Sequence, residues 1–243
     1  RVYGLDNEAY HLVLLCVNQT GDQKGWSVAW GAVLDGFCVM TRIDLELLEQ
    51  HHEGLIALSA CLGGAIPQAL LHEDYQGARA YALRLSELFG PDRFYLELQD
   101  HGIEAQRPVN QGLQRLAREE GLPLVITNDA HYLRKEDADM QDVLLCIQTG
   151  KTVDDLNRMR FETQEFYLKS EQELRELFPG CDEAFSNTQK IADMCNVEFT
   201  FHQYHLPAYP VPEGDTNEEY FRKLCYEGFR ERYPEEPKEY RER

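Results

Sequence analysis

The sequence contains no C-x-x-C pair and no apolar run near the roughly 18 to 20 residues of a membrane span. It is also poor in basic residues: 24 Lys and Arg stand against 43 Asp and Glu, a formal net charge of -19. The seven cysteines, at 16, 38, 61, 146, 181, 195 and 225, are odd in number and scattered, which argues against a disulfide framework. Reduced core thiols are expected, with Cys61 set apart. Without an apolar span, and with no signal-peptide pattern in "RVYGLDNEAY", the chain is expected to be cytoplasmic and to have no membrane partner. Its charge repels nucleic acid phosphates at long range, so contact with DNA requires cations or a basic neighbouring domain. No serine lies in a G-x-S-x-G elbow, which argues against a serine hydrolase. "TGKT" at 149–152 is no phosphate-binding loop, because Leu145 stands where that motif requires glycine.

What is present is an alternation of strand-length apolar runs and amphipathic stretches. "HLVLLCV" (11–17), "GLIALSAC" (54–61), "RFYLELQ" (93–99) and "LPLVIT" (122–127) read as strands. Helices are predicted over 23–34, 45–52, 75–89, 105–120 and 136–147. This order predicts an α/β fold with parallel strands buried on both faces. Four strands are part of a closed barrel, which needs about eight. The abrupt start at Arg1 leads us to expect that the natural protein continues upstream. Beyond Gly150 the pattern becomes mainly helical, with helices over 171–178 and 182–195. Pro207, Pro210 and Pro212 then mark an extended linker, and Thr216-Asn217-Glu218-Glu219 reads as a capping box opening a last helix.

Chemistry-bearing residues gather where the predicted strands end. In an extended segment Asp129 and His131 project to one side and form a candidate ligand pair; the alternative is an Asx turn with a surface histidine. Cys61 precedes Gly63, Gly64 and a helix, and is either a thiolate ligand or a buried core thiol. His101, in "LQDHG", reads on its own as a polar loop residue. Cys61, His101 and the Asp129–His131 pair thus end three adjacent strands, and a mixed sulfur, nitrogen and oxygen set suits zinc or a transition metal. Clustered metals of this kind suit phosphoester hydrolysis. His11 begins its strand, so parallel pairing puts it at the far end from the others, in a structural role.

"HHEGLIALSACLGGAIPQALL", "YLELQDHG", "GLPLVITNDAHYLRKEDADMQDVLLCIQTGKTVDD", "FYLKSEQELRELFP", "EAFSNTQKIADMCNVEF" and "YHLPAYPVPEGDTNEEYFRKLCYEG" together resemble the PHP (polymerase and histidinol phosphatase) domain of bacterial replicative polymerases, the DNA polymerase III alpha subunits, running into the start of their polymerase portion. The resemblance implies a PHP-type distorted TIM-like barrel, here without its N-terminal strands, followed by a mainly helical segment. It divides the chain into a partial PHP domain at 1–160, a helical end of that domain at 161–206, and a linker with the first polymerase helix at 207–243. It implies metal-ligand roles for His11, Cys61, Asp129 and His131, with zinc or manganese as the expected ions, and a phosphoesterase or 3'–5' proofreading exonuclease activity. Further ligands, an H-x-H pair among them, are implied upstream of Arg1, so the metal site is expected to be incomplete and the activity absent in this chain itself, and the polymerase aspartates are implied downstream of Arg243. The whole protein is implied to be a DNA-directed polymerase that uses magnesium, acts on DNA and meets other replicase subunits. A non-catalytic scaffold that stabilises the polymerase or docks a proofreading subunit is the alternative. The chain departs from the family at Asp22, Lys24, Gly25 and Trp30, which replace tyrosine, asparagine, leucine and a small polar residue.

Overall fold

A computed structural model describes residues 9–34, 42–204, 206–235 and 238–241, so Cys38, His205 and the chain's opening residues lie outside the described residues. It comprises two compact units that divide between Glu198 and Phe199. In the first, β1 (Val13–Cys16) is followed by α1 (Gln19–Leu34), α2 (Leu45–His51) and β2 (Leu55–Leu58). Then come α3 (Ala65–Leu71), α4 (Tyr75–Phe89), β3 (Phe94–Leu98), α5 (Gln106–Glu120) and β4 (Leu124–Ile126). A 3-10 turn (Lys135–Asp137), α6 (Ala138–Thr149), α7 (Glu171–Leu177) and α8 (Asp182–Met194) complete it.

The strands form one sheet in the order β1-β2-β3-β4. Strands β2, β3 and β4 run parallel, with Ala57 beside Phe94 and Leu96 beside Leu124. The expectation of parallel pairing fails for β1, which runs antiparallel to β2 with Val13 opposite Leu58 and Cys16 opposite Leu55. Intervening helices permit either strand sense. Here the chain leaves β1 and enters β2 at the same end, where the Val17 N–H donates to the Gly54 carbonyl at 2.9 Å.

Helix α1 starts at Gln19, ahead of its predicted start, because Asn18 Oδ1 accepts a hydrogen bond from the Gly21 N–H at 3.0 Å and caps the first turn. Gly21 serves close packing: a Cβ there would lie 1.9 Å from the Gly54 carbonyl oxygen. The unusual residues leave this helix intact. Gly25 faces the Cys16 sulfur, and nothing in the structure explains the exposed Trp30.

Strands β2 and β3 are buried along their whole lengths, as their unbroken apolar character requires. On one face Leu55, Ala57, Phe94, Leu96 and Leu98 pack with Ile66, Ala82, Leu85, Leu113 and Leu116 from α3, α4 and α5. On the other, Ile56, Leu58, Tyr95 and Val125 meet Ile191 of α8. Strand β4 ends the sheet, and α8 covers its edge with side chains: Asn187 Nδ2 donates to the Leu124 carbonyl at 2.8 Å and Thr188 Oγ1 to the Ile126 carbonyl at 3.0 Å.

In the second unit Thr216 and Glu219 form the capping box expected at the start of α9 (Asn217–Arg232), which precedes the short α10 (Lys238–Arg241). No residue of α9 is buried, so Cys225 is exposed and the core-thiol expectation fails there. The six described cysteines are free, but only Cys146 among them is fully buried. No described helix is long and apolar enough to cross a membrane.

The carbonyls on the β4 edge generate a stability prediction. Asn187→Ala should cost about 0.5–1.5 kcal/mol in urea denaturation, because it takes the donor from the half-buried Leu124 carbonyl. Thr188→Val should cost about 0.5–1.5 kcal/mol by the same measurement.

Candidate functional site

The reversal of β1 determines what collects at the carboxyl ends of β2, β3 and β4. Beyond β2 the backbone turns through Ala60, at φ +63°, and reaches Cys61. Because β1 is antiparallel, His11 lies at this same end and not at the far one. Its N–H donates to the Gly63 carbonyl at 2.9 Å, and its Nδ1 is 3.3 Å from Cys61 Sγ. A Cβ on Gly63 would stand 3.0 Å from His11 Nδ1, so a larger residue there would press on the imidazole. Burial raises the Cys61 thiol pKa, the Gly63 N–H offsets part of that rise, and the charges of Asp129 and Glu97 add to it. A nearby cation would act with the Gly63 N–H in favour of the thiolate.

Beyond β4, Thr127 N–H donates to the Leu98 carbonyl at 3.2 Å, extending the ladder by one residue. Asp129 then has φ +44°, a left-handed conformation that costs a non-glycine residue about 1–3 kcal/mol. The alternation argument for Asp129 and His131 therefore does not apply, since the segment is not extended. The turn itself brings them together, with His131 Nε2 at 3.7 Å from Asp129 Oδ1. Neither does Asn128 form an Asx turn. Its side chain mimics a strand, accepting from Lys169 N–H and donating to the Lys169 carbonyl, each at 3.0 Å.

The segment 161–170, which the sequence reads as a short extended stretch leading into α7 and without a role at the site, braces this turn. The His131 N–H donates to the Phe166 carbonyl at 2.8 Å, and the imidazole packs 4.7 Å from the Phe161 ring and 5.6 Å from the Phe166 ring. The two phenylalanines stack on each other at 4.4 Å. The available signal was the spacing of Phe161 and Phe166 in an otherwise polar stretch.

Under the rim lies a buried polar layer. His101, read from sequence as a polar loop residue, is 2% exposed and has both ring nitrogens engaged: Nε2 with the Asn128 carbonyl at 2.7 Å and Nδ1 with Gln106 at 2.8 Å. It therefore presents no free nitrogen to a metal. By the alternation of β3, Glu97 shares the face of Tyr95. Its Oε1 accepts hydrogen bonds from Thr127 Oγ1 and from Gln99 Nε2, the latter at 2.8 Å. Its Oε2 closes no hydrogen bond, although the Ala60 N–H lies near enough to favour the charged form.

Burial pushes the Glu97 carboxyl above its ordinary range, and the Asp129 charge adds to the rise against the Thr127 and Gln99 hydrogen bonds. The folded protein thus holds this proton more tightly than the unfolded chain does. The associated stability is present in acid and is lost as pH rises from the usual carboxylate range through the raised folded value. Glu97→Gln should flatten that falling limb when urea stability is measured against pH, while the wild type retains it.

Four candidate donors thus stand in two pairs, His11 with Cys61 and Asp129 with His131. Among the described residues no three His, Cys, Asp or Glu side chains converge as a metal-binding group. The chemistry of each pair suits a borderline cation, and Asp129 is close enough to Cys61 for its charge to raise the thiol pKa.

The PHP domain family matches residues 2–101, a span that includes His11 and Cys61 but not Asp129 or His131. Over 96% of its length the chain is 45% identical to DNA polymerase III subunit alpha of Thermus aquaticus. It is 43% identical to the proteins of that name from Treponema pallidum, over 92% of the chain, and Borreliella burgdorferi, over 94%. It spans 19%, 19% and 20% of the lengths of these three relatives, respectively. The α/β sheet, the PHP match and the near end-to-end similarity lead to one conclusion: this chain belongs to the DNA polymerase III subunit alpha family, in the region that carries its PHP domain.

Proposed function

We propose that the rim formed by His11, Cys61, Asp129 and His131 binds divalent metal, zinc or manganese, and serves phosphodiester hydrolysis at a DNA 3' end. The observation that carries this reading is the approach of His11 to Cys61 at 3.3 Å, on the rim that also holds Asp129 and His131. His11 and Cys61 would supply a nitrogen and a sulfur donor, and Asp129 and His131 an oxygen and a nitrogen. Bound metal would supply an activated water and neutralise charge on the phosphoryl oxygens. Two donors per pair leave positions for water, for substrate oxygens or for donors outside the described residues. Phe161 and Phe166 hold the His131 ring in place and keep water from its apolar face. A net charge of -19 also makes cations a requirement for a DNA strand to approach this surface.

A scaffold role is the second reading, favoured by the absence of a three-donor group among the described residues. Here the PHP fold would stabilise the polymerase or dock a proofreading subunit without chemistry of its own. For the whole protein we propose DNA-directed DNA synthesis with magnesium, in the cytoplasm and alongside other replicase subunits, on the strength of its relatives' names. No residue described here is assigned to that reaction.

Metal titration of the 243-residue chain separates the two readings. Calorimetry with Mn2+ or Zn2+ should show at least one equivalent bound, and Cys61→Ser and Asp129→Ala should each weaken binding by about tenfold or more with the circular dichroism spectrum unchanged. In a chain extended upstream of Arg1, where further ligands are implied, hydrolysis of a single-stranded oligonucleotide in Mn2+ should be present and should disappear in Asp129→Ala. A wild type that takes up no metal at millimolar concentration would favour the scaffold and defeat the hydrolytic reading.

A further inference from the structure

We infer that His101 is a positioning residue for Asp129 and His131, acting through the Asn128 carbonyl and the Phe166 ring. The inference builds on the ligand reading above, but its geometry is independent of any bound metal. A carbonyl only accepts, so the 2.7 Å contact between His101 Nε2 and the Asn128 oxygen requires the proton on Nε2. Nδ1 is then an acceptor and receives the Gln106 Nε2–H at 2.8 Å, while Gln106 Oε1 accepts from the His101 backbone N–H at 2.7 Å. Gln106 thus grips His101 with both ends of its amide, and this assigns the tautomer that points a donor at Asn128. Thr163 Oγ1 adds a hydrogen bond to the His101 carbonyl at 2.6 Å.

Anchoring that oxygen has a direct geometric effect. The Asn128 carbonyl shares a peptide plane with the Asp129 nitrogen, so fixing the plane fixes one side of the rotation that defines Asp129 φ. That angle is +44°, a value the residue would leave if the plane could turn. The far side of the turn is held at the His131 N–H by the Phe166 carbonyl. His101 reaches this side too: its ring lies flat on Phe166, with centroids 4.2 Å apart and planes inclined by 7°. One buried ring therefore touches both supports of the turn. Without its hydrogen bond the Asp129 carboxylate would swing away from His131, although His101 itself meets neither side chain.

Two substitutions isolate the hydrogen bond from the packing. His101→Phe keeps a flat ring on Phe166 and removes the donor; His101→Gln keeps a donor and an acceptor. Amide hydrogen exchange is read at His131 and Lys169, whose N–H groups bond to the Phe166 carbonyl and to Asn128 Oδ1, with Leu96 in the sheet as control. In the metal-free chain, His101→Phe should speed exchange at His131 and Lys169 by about tenfold or more with Leu96 unchanged, and His101→Gln should restore it to within about threefold. Mn2+ affinity should fall by about tenfold in His101→Phe and recover in His101→Gln. Unchanged exchange in His101→Phe, or equal acceleration in both variants, overturns the inference. If Leu96 also exchanges faster in His101→Phe, Gln106→Leu replaces it, loosening the ring while keeping its donor; acceleration confined to His131 and Lys169 then supports the inference, and none overturns it. A wild type that binds no Mn2+ defeats the metal reading alone, since the exchange comparison still decides positioning.

Discussion

Strand β1 runs against β2, and the site depends on that pairing. A strand carries its first residue to whichever end its neighbour dictates, and here the neighbour's end holds Cys61 and Gly63. The backbone bond from His11 to Gly63 belongs to an isolated parallel bridge beyond the antiparallel ladder, so the imidazole is placed by backbone pairing on both sides of Leu12. Gly63 leaves the room that this placement needs. With a parallel β1 the same residues would build a sheet with a lone thiol at one end and a stranded histidine at the other.

The rest of the rim is held by a trade between burial and polarity. Parallel strands end in loops whose backbone groups need partners. In this protein Gln106 accepts from the His101 N–H, His101 donates to the Asn128 carbonyl and Asn110 to the Gln99 carbonyl, above a layer in which Ser59, Glu97, Gln99 and Thr127 bond one another and β3. Placing a carboxylate and an imidazole in that layer is costly unless each is fully bonded. His101 meets that condition, whereas one oxygen of Glu97 does not. Ala60 and Asp129, both in left-handed backbone, follow β2 and β4 and flank this layer on either side of β3. Strain of this kind persists only where the surroundings over-determine it, which is what the polar layer and the Phe161–Phe166 stack provide.

Sequence patterning made the elements legible, because apolar runs and caps act locally. Helix α4 occupies the predicted span, and α5 begins one residue later than expected. The sense of β1 was not legible, since an intervening helix leaves direction open, and with it went the position of His11. The pairing of Asp129 with His131 was anticipated for a reason that does not hold: alternation applies to extended chain, and the structure uses a left-handed turn. His101 was misread because burial of a loop residue comes from distant partners, Gln106, Asn128 and Phe166, that no local pattern connects. The same holds for Phe161 and Phe166, whose role appears only once 161–170 lies along the turn after β4.

The way α8 meets β4 has a consequence beyond stability. A terminal strand offers unpaired carbonyls to any extended segment that drifts past, and two of those on β4 are already taken by Asn187 and Thr188. Without α8 those carbonyls would be open to a foreign strand, and the face that Ile191 covers would be uncovered with them. Among the described residues the helix therefore works as a stopper: it occupies the outer edge of β4 and keeps a second molecule from adding a strand there.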